Sequence, residues 1–503
     1  MDVLNALGGG FAVVLTPTNL LLCLVGCLWG TIVGVLPGLG PMAGLTLLLP
    51  LTYHLDPAAG LIMLAGIFNG AMYGGSTTSI LMRIPGEAAS VITCIDGYEM
   101  ARKGRAGGAL AIAAIGSFVG GTVSVIGLML FAPPLASVML SVGPAAEFLL
   151  MTLALVVVTV VTGGSRIKAG MMVCAGLLIA SMGIDFITAV PRFSFGMIEL
   201  GNGISFTALA LGLFGVSEIL LSVERLSTIK PIIPTFRSLL PTTRELKDSA
   251  APIGRGTLIG FIFGIIPGVS HVISTFVSYA VERRISKHPE EFGKGAVAGL
   301  AGPETANNAT TGSGMIPLLV LGIPALPATT ILLSAMMIHG IQPGPQLISE
   351  HPEIFWGVIA SLYVGNLLLL ILNLPLVGLF VNLLRIPYSR LAPIVLLLCI
   401  IGVYSLNSSQ FEIAIVVFFG VVGYLLRKLH FDVAPLLLAV VLGDRIEISL
   451  RTALMISDGS WLALFEGAAA RALVIAVAVL AGIWLVARWF GFSRAEIAKA
   501  AEE

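Results

Sequence analysis

Long apolar runs dominate this chain, and the polar positions that interrupt them recur in a fixed order. Ala109 to Ala132, Phe148 to Val161, Phe355 to Leu384, Leu391 to Leu406 and Ala472 to Ala487 approach or exceed, with their flanks, the roughly 20 residues a helix needs to cross hydrocarbon. The pattern predicts an all-α polytopic membrane protein with roughly twelve transmembrane segments. Glycine then recurs at every fourth position in Gly26, Gly30, Gly34 and Gly38, and 230 residues later in Gly256, Gly260, Gly264 and Gly268. Residues four apart share a helix face, so each ladder predicts a groove that admits another backbone. Both ladders end alike, in Gly34-Val35-Leu36-Pro37-Gly38 and Gly264-Ile265-Ile266-Pro267-Gly268, and Ile32 matches Ile262. The chain reads as an internal duplication.

A Pro-Gly pair removes a helical donor and frees the backbone to unwind. Within a bilayer, such a break is tolerated only where protein or a water-filled cavity covers the freed groups. Broken helices in corresponding positions of two repeats point to a transporter's binding site. Each copy also carries a polar stretch. Asn69-Gly70-Ala71-Met72-Tyr73-Gly74-Gly75-Ser76-Thr77-Thr78-Ser79 precedes Ile84-Pro85-Gly86-Glu87, and Pro303 to Gly314 precedes Ile323-Pro324. A shift of 239 aligns Asn69 with Asn308, Gly75 with Gly314 and Pro85 with Pro324, the nine extra residues falling in the charged connection Glu282 to Lys294. We expect each polar stretch to be a second break in its repeat.

Composition agrees with a membrane protein: 57% of the 503 residues are hydrophobic and 11% charged, against about 25% charged in soluble domains. Formal net charge is zero, which offers nothing to nucleic acid. The five cysteines are scattered, and Cys23 and Cys27 read as small packing residues. The N-terminus has no basic n-region, so no cleaved signal is expected. Basic connections (Arg102 to Arg105, Arg166 to Lys168, Glu224 to Lys247, Arg385 to Arg390, Arg427-Lys428 and the tail) alternate with connections poor in Lys and Arg. The positive-inside rule then places the C-terminus in the cytoplasm and makes the two repeats inverted. Three units follow: residues 1–223, a cytoplasmic linker at 224–252 rich in proline and charge, and residues 253–503.

The polar stretches suit an anion held by neutral donors and helix N-termini, while unwound carbonyls suit Na⁺. Candidate substrate residues are Asn69, Tyr73, Gly74, Gly75, Ser76, Thr77, Thr78, Asn307, Asn308, Thr310, Thr311 and Ser313. Candidate ion ligands are Pro37, Gly38, Leu39, Gly40, Pro267, Gly268, Ser270 and Glu304, the last costly at membrane depth unless partnered or functional. Arg83 stands close enough in sequence to add a contact to a carboxylate, and Glu87 is a candidate cation ligand or proton carrier. Asp96-Gly97-Tyr98-Glu99 reads as a solvated turn, His339 as structural, and Asp444, Arg445 and Glu447 as a cluster that pairs internally or at an interface. No P-loop, HExxH or His/Cys metal spacing is present, so no enzyme chemistry or cofactor is indicated. A channel built from paired re-entrant segments is the alternative to a carrier.

Pro37-Gly38-Leu39-Gly40-Pro41, Tyr73-Gly74-Gly75-Ser76-Thr77-Thr78-Ser79, Pro85-Gly86-Glu87-Ala88-Ala89-Ser90, Asp96-Gly97-Tyr98, Gly302-Pro303-Glu304 with Asn307-Asn308, Leu321-Gly322-Ile323-Pro324 and His339-Gly340-Ile341-Gln342-Pro343-Gly344-Pro345 resemble the large membrane subunit of bacterial tripartite tricarboxylate transporters. The resemblance spans nearly the whole chain. It implies an importer of citrate or related organic carboxylates, coupled to Na⁺ or H⁺, in the bacterial inner membrane. It also implies a small membrane subunit and a periplasmic binding protein as partners. Val269-Ser270 after Pro267-Gly268, and Ala325 after Pro324, depart from the first copy.

Overall fold

Proline and glycine punctuate the helices of the first half. The computed structural model describes residues 3–36, 40–139, 143–161, 165–185, 187–224, 241–267, 271–383 and 408–465, with isolated positions between 393 and 404 and at 482. The first half comprises α1 (Val3–Val14), α2 (Pro17–Val35), α3 (Gly40–Thr52), α4 (Pro57–Met82), α5 (Thr93–Met100) and α6 (Ala106–Met139). A π-helical turn at Ala101–Arg105 joins the last two, with Gly104 in the left-handed region at φ 79°. Then come α7 (Pro144–Val161), α8 (Arg166–Ala180), α9 (Phe206–Ala210) and α10 (Ser217–Glu224).

The second half comprises α11 (Thr243–Ile265), α12 (His271–Ile285), α13 (Val297–Ser313), α14 (Pro327–Ile338), α15 (Leu347–Glu350), α16 (Pro352–Asn373) and α17 (Val377–Leu383), followed by the helices Gln410–Lys428 and Ala434–Ile456. Residues 243–252 of the expected linker are therefore helical, with Pro252 inside α11; 225–240 lie outside the described residues, as does nearly all of the chain after 465. Five described stretches, Pro17–Val35, Pro57–Met82, Thr93–Met139, Pro352–Asn373 and Gln410–Lys428, are long and apolar enough to cross a membrane. The chain is a multi-pass membrane protein.

Both ladder helices stop where the sequence places a Pro-Gly pair. Leu36 (φ −81°, ψ 111°) ends α2 and returns its N–H to the Ile32 carbonyl. Ile266 (φ −86°, ψ 113°) ends α11 and bonds back to Phe263. Each precedes a proline, whose ring excludes the helical conformation from the residue before it. The next helices resume at Gly40 and His271. At the other end of α11, Thr242 and Glu245 form a reciprocal cap, which satisfies two orphan donors.

The ladders are contact faces. A Cβ at Gly26, Gly30 or Gly34 would overlap the carbonyl oxygen of Met63, Ile67 or Ala71 on α4. A Cβ at Gly256, Gly260 or Gly264 would likewise overlap the backbone carbonyl of Gly302 or Ala306, or the Ser313 hydroxyl and the Thr310 carbonyl, on α13. The partner carbonyl lies 37 positions later in the first half and 46 in the second. The difference is the nine residues inserted in the charged connection. Each half thus seats its polar helix on its own glycine ladder at the same register.

The helices α4 and α13 also meet each other, and α5, α6 and α16 pack around them. α4 is buried along nearly its whole length. Cys23 and Cys27 are buried where α2 meets Ser361 and Gly365 of α16, and they remain thiols. On the flank, the helix Gln410–Lys428 exposes Val417, Phe418, Val421 and Leu425, an apolar face suited to lipid.

Candidate functional site

Contrary to the expectation of a break within each, the first polar stretch is unbroken helix and the second is helical up to its last residue, Gly314, which caps α13. Asn69 to Ser79 lie within α4 and Pro303 to Ser313 within α13. Their hydroxyls bond back to carbonyls four residues earlier: Ser79 to Gly75, Thr310 to Ala306, Thr311 to Asn307 and Ser313 to Ala309. Hydroxyls satisfied in this way let a helix continue through a polar stretch. The left-handed turns come afterwards, at Arg83 (φ 57°, ψ 26°) and Gly322 (φ 67°, ψ 21°). These positions are related by the same shift of 239.

The left-handed turns give unequal expectations. Gly322→Ala forces a side chain into a positive φ and sets its Cβ 2.6 Å from the Pro343 carbonyl oxygen; a loss of about 2–3 kcal/mol is expected. Arg83→Gly relieves backbone strain of about 1 kcal/mol and gives up the stacking of its guanidinium 5.9 Å from the Tyr98 ring centre. Thermal unfolding in detergent should show a clear drop for the first variant and little change for the second.

The polar faces of α4 and α13 converge on Glu304, which is 1% exposed. Its carboxylate accepts from the Ser76 hydroxyl of α4 and the Thr93 hydroxyl of α5. One turn along α13, Asn307 Nδ2 donates to Glu87 Oε1 at 3.0 Å, and the Ala89 N–H donates to Glu87 Oε2 at 2.7 Å. Glu87 and Gly86 sit directly on Gly75, where a Cβ would meet Glu87 Cγ at 3.0 Å. That glycine therefore lets the Pro85-Gly86-Glu87 turn reach the helix. Thr78 ties α4 to the end of the ladder helix by donating to the Val35 carbonyl at 2.5 Å.

Beside Ser76 lies a narrow crevice with room for about one water molecule, lined by Tyr73, Ser76, Thr77, Ser117 and Asn373, with Leu110, Ala113 and Ala114 on its apolar side. Asn308 Nδ2 donates to Ser117 Oγ at 2.7 Å, which brings the second polar helix to the crevice. Tyr73 donates to Asn366 Oδ1 at 2.6 Å, and Asn366 Nδ2 reaches the Phe118 carbonyl and Thr122, both at 2.8 Å. Neutral hydroxyl and amide groups of α4, α6 and α16 thus line the space, with Asn308 of α13 behind Ser117.

Tyr73, Ser76, Thr77, Glu304, Asn307 and Asn308 are brought together, and Gly74 and Gly75 provide close contacts. Thr310, Thr311 and Ser313 serve the contact between α13 and its neighbours instead. Thr310 bonds Ser274, Ser313 the Gly260 carbonyl, and Thr311 stands 3.1 Å from His271 Nε2. Asn69 is half-buried on α4. Gly40 opens α3 and Pro267 is half-buried after α11, while Pro37, Gly38, Leu39, Gly268 and Ser270 lie outside the described residues.

Asp96 is no solvated turn. It is fully buried, and its Oδ1 accepts the N–H groups of Gly293, Gly295 and Ala296 at 2.9, 2.7 and 2.8 Å, while Tyr279 donates to Oδ2 at 2.9 Å. Among the charged residues of the later helices, Glu447 pairs with Arg192 and Arg451, and Arg445 reaches the Pro343 carbonyl. Asp185 joins that network; the Thr188 N–H and the Arg451 guanidinium hold its carboxyl well below the usual range. His339 caps α14 and is half-buried. The sequence reading missed Thr93, Ser117, Asn366 and Asn373. For the two asparagines the available signal was a pair of amides seven apart in the apolar run Phe355 to Leu384, a costly placement in lipid.

Comparison with known proteins gives a family model, described as the tripartite tricarboxylate transporter TctA family, that matches residues 20–438. An Agrobacterium vitis protein described as an uncharacterized 52.8 kDa protein in the TAR-I ttuC' 3' region is 48% identical over 459 residues, covering 91% of each chain. A second, described as an uncharacterized protein in the TAR-II ttuC' 3' region of the same organism, is 48% identical over 200 residues, covering 40% of this chain and 83% of its own. No solved structure matches.

Proposed function

This chain belongs to the tripartite tricarboxylate transporter TctA family, and from that premise we propose that it imports an organic carboxylate, citrate or a related acid, by ion-coupled secondary transport. In this reading it works in the bacterial inner membrane with its C-terminus in the cytoplasm. A small membrane subunit accompanies it, and a periplasmic binding protein delivers the acid. Sodium is the coupling ion, with H⁺ the alternative.

One observation carries the proposal: residues from both halves meet at Ser76 and Glu304 and share a crevice lined by neutral donors. Hydroxyls and amides hold a carboxylate without a fixed cation, so the acid can leave once the site opens. The crevice is too narrow for a tricarboxylate as it stands, so access requires movement of packed helices. Two repeats of inverted topology supply paired conformations for that movement. The glycine-ladder contacts, being backbone against backbone, keep each polar helix with its ladder helix as a rigid unit.

Reconstitution of the chain with its partner subunits, followed by labelled citrate uptake under imposed sodium or proton gradients, tests the reading. Ser76→Ala and Asn308→Ala should each lower uptake about tenfold, the equivalent of one lost hydrogen bond, with the folded protein retained. Wild-type uptake in both variants would remove the two polar faces from the mechanism. Equal uptake without any gradient would exclude secondary coupling.

A further inference from the structure

We propose that Glu304, Glu87 and Asn307 form a binding site for one hard monovalent metal cation of the sodium class, set beside the crevice through Ser76. The role of that cation in coupling rests on the transport reading above, whereas its binding does not.

The first observation is how the buried carboxylates are partnered. Glu282 is paired with Arg255, Glu245 with Arg105, and Asp185 with Arg192 and Arg451, while Asp96 accepts three backbone N–H groups and a phenol. Buried Glu304 and half-buried Glu87 differ. Ser76, Thr93, Asn307 and the Ala89 N–H meet their four carboxylate oxygens with neutral donors. Among the described residues neither forms an ion pair.

The second observation concerns the Asn307 amide. Glu87 requires a donor, which fixes the Asn307 amide with Nδ2 toward it. The opposite atom, Asn307 Oδ1, is then an acceptor with no donor among the described residues, on a side chain only 1% exposed. A buried acceptor without a partner costs about 1–3 kcal/mol. Two carboxylates and a free amide carbonyl, with the hydroxyl oxygens of Ser76 and Thr93, make an all-oxygen set of the kind hard cations take.

Charge supplies the third step. A carboxylate substrate that reaches Ser76 adds negative charge next to Glu304 in a low-dielectric interior, where like charges repel strongly. A metal cation shared by Glu304, Glu87 and Asn307 relieves that repulsion and satisfies Asn307 Oδ1 together. Cation and acid then favour each other's binding, and the coupling is reciprocal. The other titratable groups around the pair do not replace the cation: Tyr73 of α4 donates to Asn366, Cys94 of α5 is a buried thiol, and His271 of α12 reaches Thr311. Arg83, at the end of α4, is exposed and lies over Tyr98.

The test uses the purified subunit complex in detergent at fixed pH and ionic strength, with thermal unfolding followed as NaCl replaces choline chloride. Wild type should be stabilised saturably by Na⁺ and not by choline. Glu304→Gln and Asn307→Ala should each raise the half-saturating Na⁺ concentration at least about tenfold, and Ser249→Ala should not. Should Glu304→Gln fail to fold, Asn307→Ala carries the same comparison. Equal Na⁺ response in wild type and Asn307→Ala overturns the site, as does stabilisation by acid with no response to Na⁺, which assigns the pair to a proton. Saturable Na⁺ binding that depends on Asn307, in a complex that imports no carboxylate under any gradient, upholds the site and sinks the transport reading.

Discussion

Alanine at Gly30 or Gly260 is expected to leave little folded protein, and to do so to a similar extent in the two halves. At Gly30 the added Cβ would overlap the Ile67 carbonyl oxygen and stand 2.8 Å from the Ile67 Cα; at Gly260 it would overlap the Ala306 carbonyl and stand 2.8 Å from the Ala309 Cβ. These neighbours are backbone or helix-bound atoms that cannot swing aside, so relief requires the helices to separate. Overpacking of this kind costs about 3 kcal/mol or more, against a total stability of about 5–15 kcal/mol. Gly8→Ala is the control, since nothing stands within 4 Å of its Cβ; alanine there should be neutral or stabilising by up to about 1 kcal/mol. Size-exclusion profiles and melting midpoints of detergent-extracted protein would decide the matter. Wild-type behaviour of Gly30→Ala and Gly260→Ala would show that the ladders are not contact faces.

What the sequence made legible here was local in origin. A glycine every fourth residue defines one helix face, and a proline fixes its own φ and restrains the residue before it, so the ladders and their ends could be placed without knowing any partner. The partner of each ladder could not, because Met63 or Gly302 carries no mark of the contact it makes. The polar stretches misled for an equally physical reason. Ser, Thr and Asn disfavour helix interiors in water because their side chains compete for backbone groups, whereas in α4 and α13 the hydroxyls turn back onto their own helix. The left-handed turns come at Arg83 and Gly322, immediately before the matched Ile-Pro pairs.

Of the candidate site, the residues on α4 and the first part of α13 were legible as a polar cluster, but its division was not. Only the structure separates Glu304, Asn307 and Asn308, which face α4, α5 and α6, from Thr310, Thr311 and Ser313, which face α11 and α12. The helical period sets that division once the direction of the helix is known, and sequence gives the period without the direction. Ser117 and Thr93 were illegible because each is a single small hydroxyl in a helix, and such residues are common packing elements in membranes.

Asp96→Ala should be among the most damaging single changes outside the ladders. The substitution leaves the N–H groups of Gly293, Gly295 and Ala296, and the Tyr279 hydroxyl, without their acceptor. Each unsatisfied buried donor costs about 1–3 kcal/mol, so even with water reaching some of them a loss of about 3–5 kcal/mol is expected. The packing leaves little room for repair, because a Cβ at Gly299 would overlap Asp96 Oδ2. Asp96→Asn keeps one carbonyl oxygen for the three N–H groups and should lose less. The loop at 293–296 precedes α13, and Asp96 lies one turn after Thr93 on α5, so the same carboxylate holds both the start of α13 and the helix that presents a hydroxyl to Glu304. Asp96→Ala should therefore raise the amide exchange rate of Gly293, Gly295 and Ala296 by about a hundredfold or more, roughly 2.7 kcal/mol of lost protection, and weaken any ligand that depends on Thr93 and Glu304. Unchanged exchange at those three amides would mean that Asp96 does not clasp the two halves together.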